Sequence, residues 1–310
     1  MPYTYPPPAP TFSGDTLQIH RLLQQPTLVA KRLQTLLMLR YISDALLPQR
    51  LRAAGGSVTW ESGEPIGTGE APRAVAPGAE YPLVSLTGGT PSVASTVKWG
   101  QDTEVTDESI SRQTIQPVNR ALTRLANQNV ITVDGLAMSA ITTAVTQTTA
   151  AGALWTAAGT TAAQILGEAL QAKASLRALN MGFEPDTIVV NDATYAAVFA
   201  KFLAAGYFAR EGENPLAKGE FPVVAGMRWL PTPNGIANQA VVADTSQLGG
   251  MADEDLGSPG YVAASAPGTT GVEVKVMRQD EEDRYRLRAR RVTVPVILEP
   301  QAGWRLTGVS

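Results

Sequence analysis

Residues 55–90, which begin GGSVTWESGE and close on Gly88-Gly89-Thr90, form a stretch that cannot fold by itself. Short β-prone runs at 57–61 and 80–86 flank a middle rich in Gly, Pro and Ala. This pattern predicts a long hairpin arm with almost nothing apolar at its centre. A two-stranded hairpin alone is marginal in water, and so long a connection is unusual inside a compact domain. Such an arm must find its missing surface on another chain. The sequence reads as one built to assemble.

The rest of the chain sets the context for that arm. Its 310 residues suggest about two domains, and 44% hydrophobic content suffices for real cores. Twenty-eight Gly and 22 Pro point to turns and loops. The net charge of −3 exerts no global pull toward nucleic acid or anionic membrane. With no cysteine, disulfides and thiolate metal sites are excluded, and a reducing compartment is the natural home. The start, MPYTYPPPAP, lacks the basic and apolar regions of a signal peptide. The longest uncharged run, 135–167, holds eight threonines and is too polar for a membrane span. No membrane association is expected.

Along the chain, Pro6-Pro7-Pro8 predicts an extended start. A leucine-rich segment follows, divided by Pro26, with Leu33, Leu36, Leu37, Met38 and Ile42 at near-helical spacing. It reads as an arm lying on a neighbour or on its own body. Residues 91–105 read as a strand, and Thr106 as the N-cap of a helix that Pro117 kinks or restarts. From there Val118, Leu122, Leu125, Asn129, Val133, Leu136 and Ala140 make one apolar stripe. That stripe predicts a helix roughly 35 Å long at about 1.5 Å per residue. A helix over 161–179, a buried strand at 187–191, a helix capped near Asp192 and a strand at 241–243 suggest a second, mixed domain. Segments 272–277 and 284–298 predict a final hairpin around the acidic turn 280–283.

Catalytic patterns are missing. The lone histidine, His20, beside Arg21, reads as a surface residue. The acidic groups 253–255 and 280–283 lack calcium-loop spacing and read as solvated turns. No GxSxG, P-loop, HExxH or dinucleotide fingerprint is present, so no catalytic, cofactor-binding or metal-ligating residue is assigned. One charge pattern stands out. Arg284, Arg286, Arg288 and Arg290 alternate with apolar residues, so a strand would line all four on one face. They face either phosphates or protein carboxylates within or between subunits. Glu104, Asp107 and Glu108 are candidate partners, and the acidic chain favours protein carboxylates over nucleic acid.

The order of these parts resembles the major capsid proteins of tailed bacteriophages, a fold shared with encapsulin shells and the herpesvirus capsid floor. The resemblance rests on GGSVTWESGE with APGAEYPLVSL for the extended loop, and on DTEVTDESISR with PVNRALTRLANQNVITVDGLAMSAI for the spine helix. PDTIVVNDATYAAV resembles the axial domain, and EPQAGWRLTGV the end. It implies an α+β fold divided into an N-terminal arm (1–54), extended loop (55–90), peripheral domain (91–159 and 271–310) and axial domain (160–270).

The implied function is self-assembly into pentamers and hexamers that close an icosahedral-type shell around double-stranded DNA in the virion. Assembly would occur in the host cytoplasm. The implied interface residues are Trp60, Glu61, Glu64, Arg73, Glu80 and Tyr81 of the loop, with Arg284, Arg286, Arg288 and Arg290. Trp60 and Tyr81 could alternatively pack on each other across the hairpin. Only 54 residues precede the loop, too few for a fused scaffold by the family pattern, so a separate scaffolding protein is expected. A portal, a decoration protein and non-specific contact with DNA complete the implied partners. None of the six lysines lies in 55–90, so the isopeptide weld of some family members is not expected. Composition leaves open an encapsulin-type shell and, further off, a hairpin-swapped oligomeric enzyme.

Overall fold

The computed structural model describes residues 16–37, 42–53, 55–63, 70–84, 88–113, 115–206, 223–235, 237–263 and 271–310. In chain order, α1 (Thr16–Leu23), α2 (Pro26–Leu37), α3 (Ser43–Leu46) and β1 (Gln49–Arg52) lead to the arm strands β2 (Ser57–Ser62) and β3 (Thr90–Ser95). Then come β4 (Val97–Thr106), α4 (Asp107–Gln113), α5 (Gln116–Ala144), β5 (Thr148–Ala150) and α6 (Ala162–Arg177). Next are β6 (Thr187–Asn191), α7 (Asp192–Ala204), β7 (Val223–Val224), β8 (Met227–Thr232) and β9 (Gln239–Ala243). The chain closes with α8 (Thr245–Leu248), β10 (Gly249–Asp253), β11 (Val262–Ala263), β12 (Val272–Gln279), β13 (Arg284–Ile297) and β14 (Gly303–Thr307).

The longest strand organises the first sheet. β13 runs 14 residues, enough for two partners in succession along one edge. β4 pairs with its first ten residues and β10 with the last five, while β12 and then β11 follow on the other edge. β1 adds beyond β10 in parallel. Gly249 and Gly250 make that junction possible, because a Cβ on either would collide with the backbone of Val296–Ile297 or Gln49.

The spine helix α5 covers the inner face of this sheet. Thr106 accepts from the Ser109 N–H at 3.3 Å to cap α4, and Pro117 in the first turn of α5 restarts the helix after a break. Val118, Leu122, Leu125 and Val133 are buried as the stripe requires. Its last members are not, because 3.6 residues per turn rotate the inner face onto Ala137 and Ile141 instead of Leu136 and Ala140. Asn129 is buried but satisfied, its amide donating to the Leu125 carbonyl at 2.9 Å. The leucine-rich arm lies on its own body: Ile19, Leu23, Val29 and Leu33 join the same core. His20 is half-buried rather than on the surface, its ring nitrogen 3.1 Å from the Tyr285 hydroxyl.

The second sheet runs β5-β14-β9-β6-β8-β7. α6 is closed by a capping box between Thr161 and Gln164, and α7 is capped by Asn191, one residue before the expected Asp192. Ile188 and Val190 of β6 face α6, α7 and the aromatic cluster Trp155, Phe199, Phe202 and Trp229. Val189 points the other way, into the core under α5, so the two sheets share one interior.

β10 belongs to the first sheet and β14 to the second. Both are five-residue strands whose place is decided by distant partners.

Candidate assembly interface

The arm is rooted firmly and then left bare. β2 and β3 pair from Ser57 opposite Ser95 to Ser62 opposite Thr90. The Trp60 indole N–H donates to the Ile297 carbonyl at 3.1 Å. Glu254 accepts from the Gly56 N–H at 3.0 Å and the Thr96 hydroxyl at 2.5 Å. It is therefore a clamp for the arm rather than a solvated turn residue. The return strand is Thr90–Ser95, not the more β-prone run at 80–86, and Thr96 separates it from β4. Residues 80–84 carry no strand, and 85–87 lie outside the described residues. Pairing availability decides this: β3 leads straight into β4, whose register on β13 fixes where the arm returns.

Beyond the root, Tyr81 is 80% exposed and Leu83 100% exposed. Burying a side chain such as Leu is worth about 1.5–3 kcal/mol, which a bare arm forgoes. Glu61 and Glu80 are exposed, and among the described residues Arg73 reaches Glu70 of its own arm at 3.3 Å. Glu64 lies outside the described residues. Trp60 stands opposite Ser92, so the packing of Trp60 on Tyr81 across the hairpin does not occur.

The arginine ladder forms as its alternation requires, with Tyr285, Leu287 and Ala289 inward and the four arginines outward. Carboxylates of the same subunit meet it. Arg284 pairs with Glu104 and Glu282. Arg286 and Arg288 share Asp102 at 2.5 and 2.6 Å. Arg290 pairs with Glu273 at 2.6 Å and lies 3.6 Å from the centre of the Tyr261 ring. Of the expected acids only Glu104 joins the ladder. Asp107 instead holds Arg278 through two bonds of 2.6 and 2.7 Å.

These contacts shift the acids predictably. The Arg288 guanidinium, helped by Arg286, holds the Asp102 carboxyl below its ordinary range despite partial burial. Arg278 does the same to Asp107. The more exposed pairs, such as Arg284 with Glu104, are worth about 0–1 kcal/mol each, whereas Arg290 and Glu273 are largely buried.

One arginine escaped the sequence reading. The doublet Arg290-Arg291 breaks the alternation and places Arg291 on the inner face, 0% exposed. It bonds Asp253 at 2.9 and 3.1 Å and Asp44 at 3.2 Å. Asp253, expected in a solvated turn, is thus a buried-network partner, and Asp44 also takes Arg50 at 2.8 Å. Removing one member of such a buried pair costs about 3–5 kcal/mol. The network ties α3, β1, β10 and β13 together behind the arm root. The turn 280–283 is exposed as expected, its acids leaning on Arg278 and Arg284.

Among the described residues no cluster of His, Cys, Asp and Glu could hold a metal ion, and no helix is long and apolar enough to cross a membrane. The family and the fold are matched by known proteins. A family model described as phage capsid protein matches residues 89–306. The capsid structure of the cyanophage P-SCSP1u is similar over 84% of this chain and 86% of its own, at 11% identity and a TM-score of 0.58. The virus-like particle from Pyrococcus furiosus is similar over 89% and 97%, at 11% identity and 0.56. The capsid of Myoviridae phage XM1 is similar over 86% and 91%, at 14% identity and 0.51. No curated protein is matched by sequence.

Proposed function

We propose that this chain, which belongs to the phage capsid protein family and carries the tailed-phage major capsid fold, assembles as pentamers and hexamers into an icosahedral-type shell around packaged double-stranded DNA. As a capsid shell protein it is a structural component of the virion. The observation that carries the assembly reading is the bare arm: a rooted hairpin whose outer part, with Leu83 fully exposed, has no core of its own. Lying across an adjacent subunit supplies the missing surface. An obligate contact of this sort buries on the order of 2,000–5,000 Å². Assembly takes place in the host cytoplasm with a separate scaffolding protein and a portal, and a decoration protein can add to the finished shell. Contact with DNA is non-specific, as suits a genome that must leave again.

Electron microscopy of the purified protein, coexpressed with its neighbouring genes, tests this. Closed shells tens of nanometres across with nucleic acid inside are the expected result. Shells that hold a cargo enzyme instead would make it an encapsulin-type compartment. Small oligomers under every condition would overturn the shell.

A further inference from the structure

The outer face of the first sheet is electrically divided. Residues directly opposite across antiparallel strands share a face, so Lys98, Lys275, Arg286, Arg288 and Arg290 stand together on it. Among the described residues three acids, Asp102, Glu273 and Glu104 opposite Arg286, lie among these five cations, and Asp102 already serves two arginines. At the hairpin tip the balance reverses. Asp280, Glu281, Glu282 and Asp283, with Asp107, surround Arg278 and Arg284. Glu281 is exposed, and the Asp280 side chain is 88% exposed.

The tip cannot neutralise the far end of the cationic face within one subunit. Lys98 stands opposite Val292, eight residues along β13 from Arg284. That is roughly 27 Å at about 3.4 Å per residue. The screening length at physiological salt is only about 8 Å. Two separated patches of opposite sign on identical subunits favour a head-to-tail contact, the kind that closes into rings.

Shape agrees with charge. A cleft of about 440 Å³ is lined by Lys98, Asp102, Tyr261, Arg286, Arg288 and Arg290. A neighbouring cleft of about 390 Å³ shares Asp102 and Arg286 with it and adds Glu104 and Arg284, which makes a groove along the ladder. Gly100 forms part of its wall, where a Cβ would come within 2.9 Å of the Arg290 Cβ. The tip is narrow: a single 3-10 turn over Asp280–Glu282, closed by Asp283 at a left-handed φ of 44°. A nucleic-acid backbone following the ladder would run onto the acidic tip, which disfavours it.

We infer that the acidic hairpin tip of one copy seats in the cationic groove of a second copy, with the carboxylates of Asp280 and Glu281 meeting Lys98 and Arg286. The inference rests on the shell reading above only in that copies of the chain meet.

The chain has no cysteine, so an engineered pair reports this contact alone. In the variant carrying both Lys98→Cys and Glu281→Cys the two thiols of one chain are too far apart, since a disulfide needs Cα atoms within about 7 Å. Mild oxidation is expected to give covalent multimers on a non-reducing denaturing gel, with both single variants staying monomeric. A monomeric double variant would overturn the contact, and so would an equal ladder from the Glu281→Cys variant alone. Charge reversal is the second arm: Lys98→Glu or Glu281→Lys should each weaken assembly, and the two together should restore it. If Lys98→Glu instead leaves assembly intact and only lowers retained nucleic acid, the groove binds phosphate and the proposal fails. Crosslinking without closed shells would retain the contact and sink only the shell reading.

Discussion

Asp134 shows how one buried carboxylate can be both fastener and burden. It projects from α5 into the core, where it accepts from the Ser43 N–H at 2.9 Å and the Ile42 N–H at 3.3 Å. These bonds cap α3 and hold it against the spine helix. Burial nevertheless pushes the carboxyl above its ordinary value of 3.8, against the pull of those donors. A raised pKa means that the folded state holds its proton where the unfolded chain has lost it, so stability falls as pH rises through the raised value. Asp134→Asn mimics the protonated form. Its stability relative to wild type is therefore expected to improve as pH rises from the ordinary carboxylate value, read as the urea midpoint at pH 4 and pH 8. A pH-independent difference between the two proteins would sink this account. Asp102 and Asp107 behave oppositely: their lowered values keep the arginine pairs intact until pH falls below the ordinary carboxylate range.

Among the elements, those with a strong internal period were legible and those defined by a partner were not. The spine helix could be read because its apolar stripe repeats over many turns, and β12 and β13 because β13 alternates arginine with apolar residues around an obvious turn. β8, with Pro231 near its end, and β10, with its paired glycines, have no alternation to read. Their strands exist because β6 and β13 offer edges far away in sequence. The arm shows the same contrast. Its existence followed from composition and 91–105 was read as a strand, yet the partner of 57–61 was expected in the β-prone 80–86 rather than in TPSVAS, where Pro91 is tolerated because a two-stranded ribbon is all edge. Of the interface, the ladder was legible by alternation, whereas Asp102 was not, since register across strands decides which acid faces which arginine. The root and the bare part of the arm should be separable by mutation. Deleting 62–79 is expected to leave a folded, soluble subunit, because the Trp60 and Glu254 contacts lie outside the deletion. The same deletion should abolish shells in electron micrographs. Wild-type-like particles would show that the arm is dispensable.

At the scale of the whole molecule, the remaining question is what holds subunits together once they meet. Some members of the family weld neighbours through an isopeptide bond that begins at a lysine in the extended loop. This chain places its lysines elsewhere, at 31, 98, 173, 201, 218 and 275. At least two are already committed: Lys201 donates to the Trp155 and Ala157 carbonyls at 2.5 and 2.6 Å, and Lys275 to the Pro259 carbonyl at 3.3 Å. A shell without welds would depend on many reversible contacts, each worth little alone, in which the proposed arm contact would bury apolar side chains and the divided sheet face would supply charge. Charge contacts near the surface weaken with salt, whereas apolar burial does not. Mature shells boiled in denaturant should accordingly run as a single band near 32.7 kDa. A ladder of covalent multimers under those conditions would place the strength of the shell in chemistry that the arm does not carry.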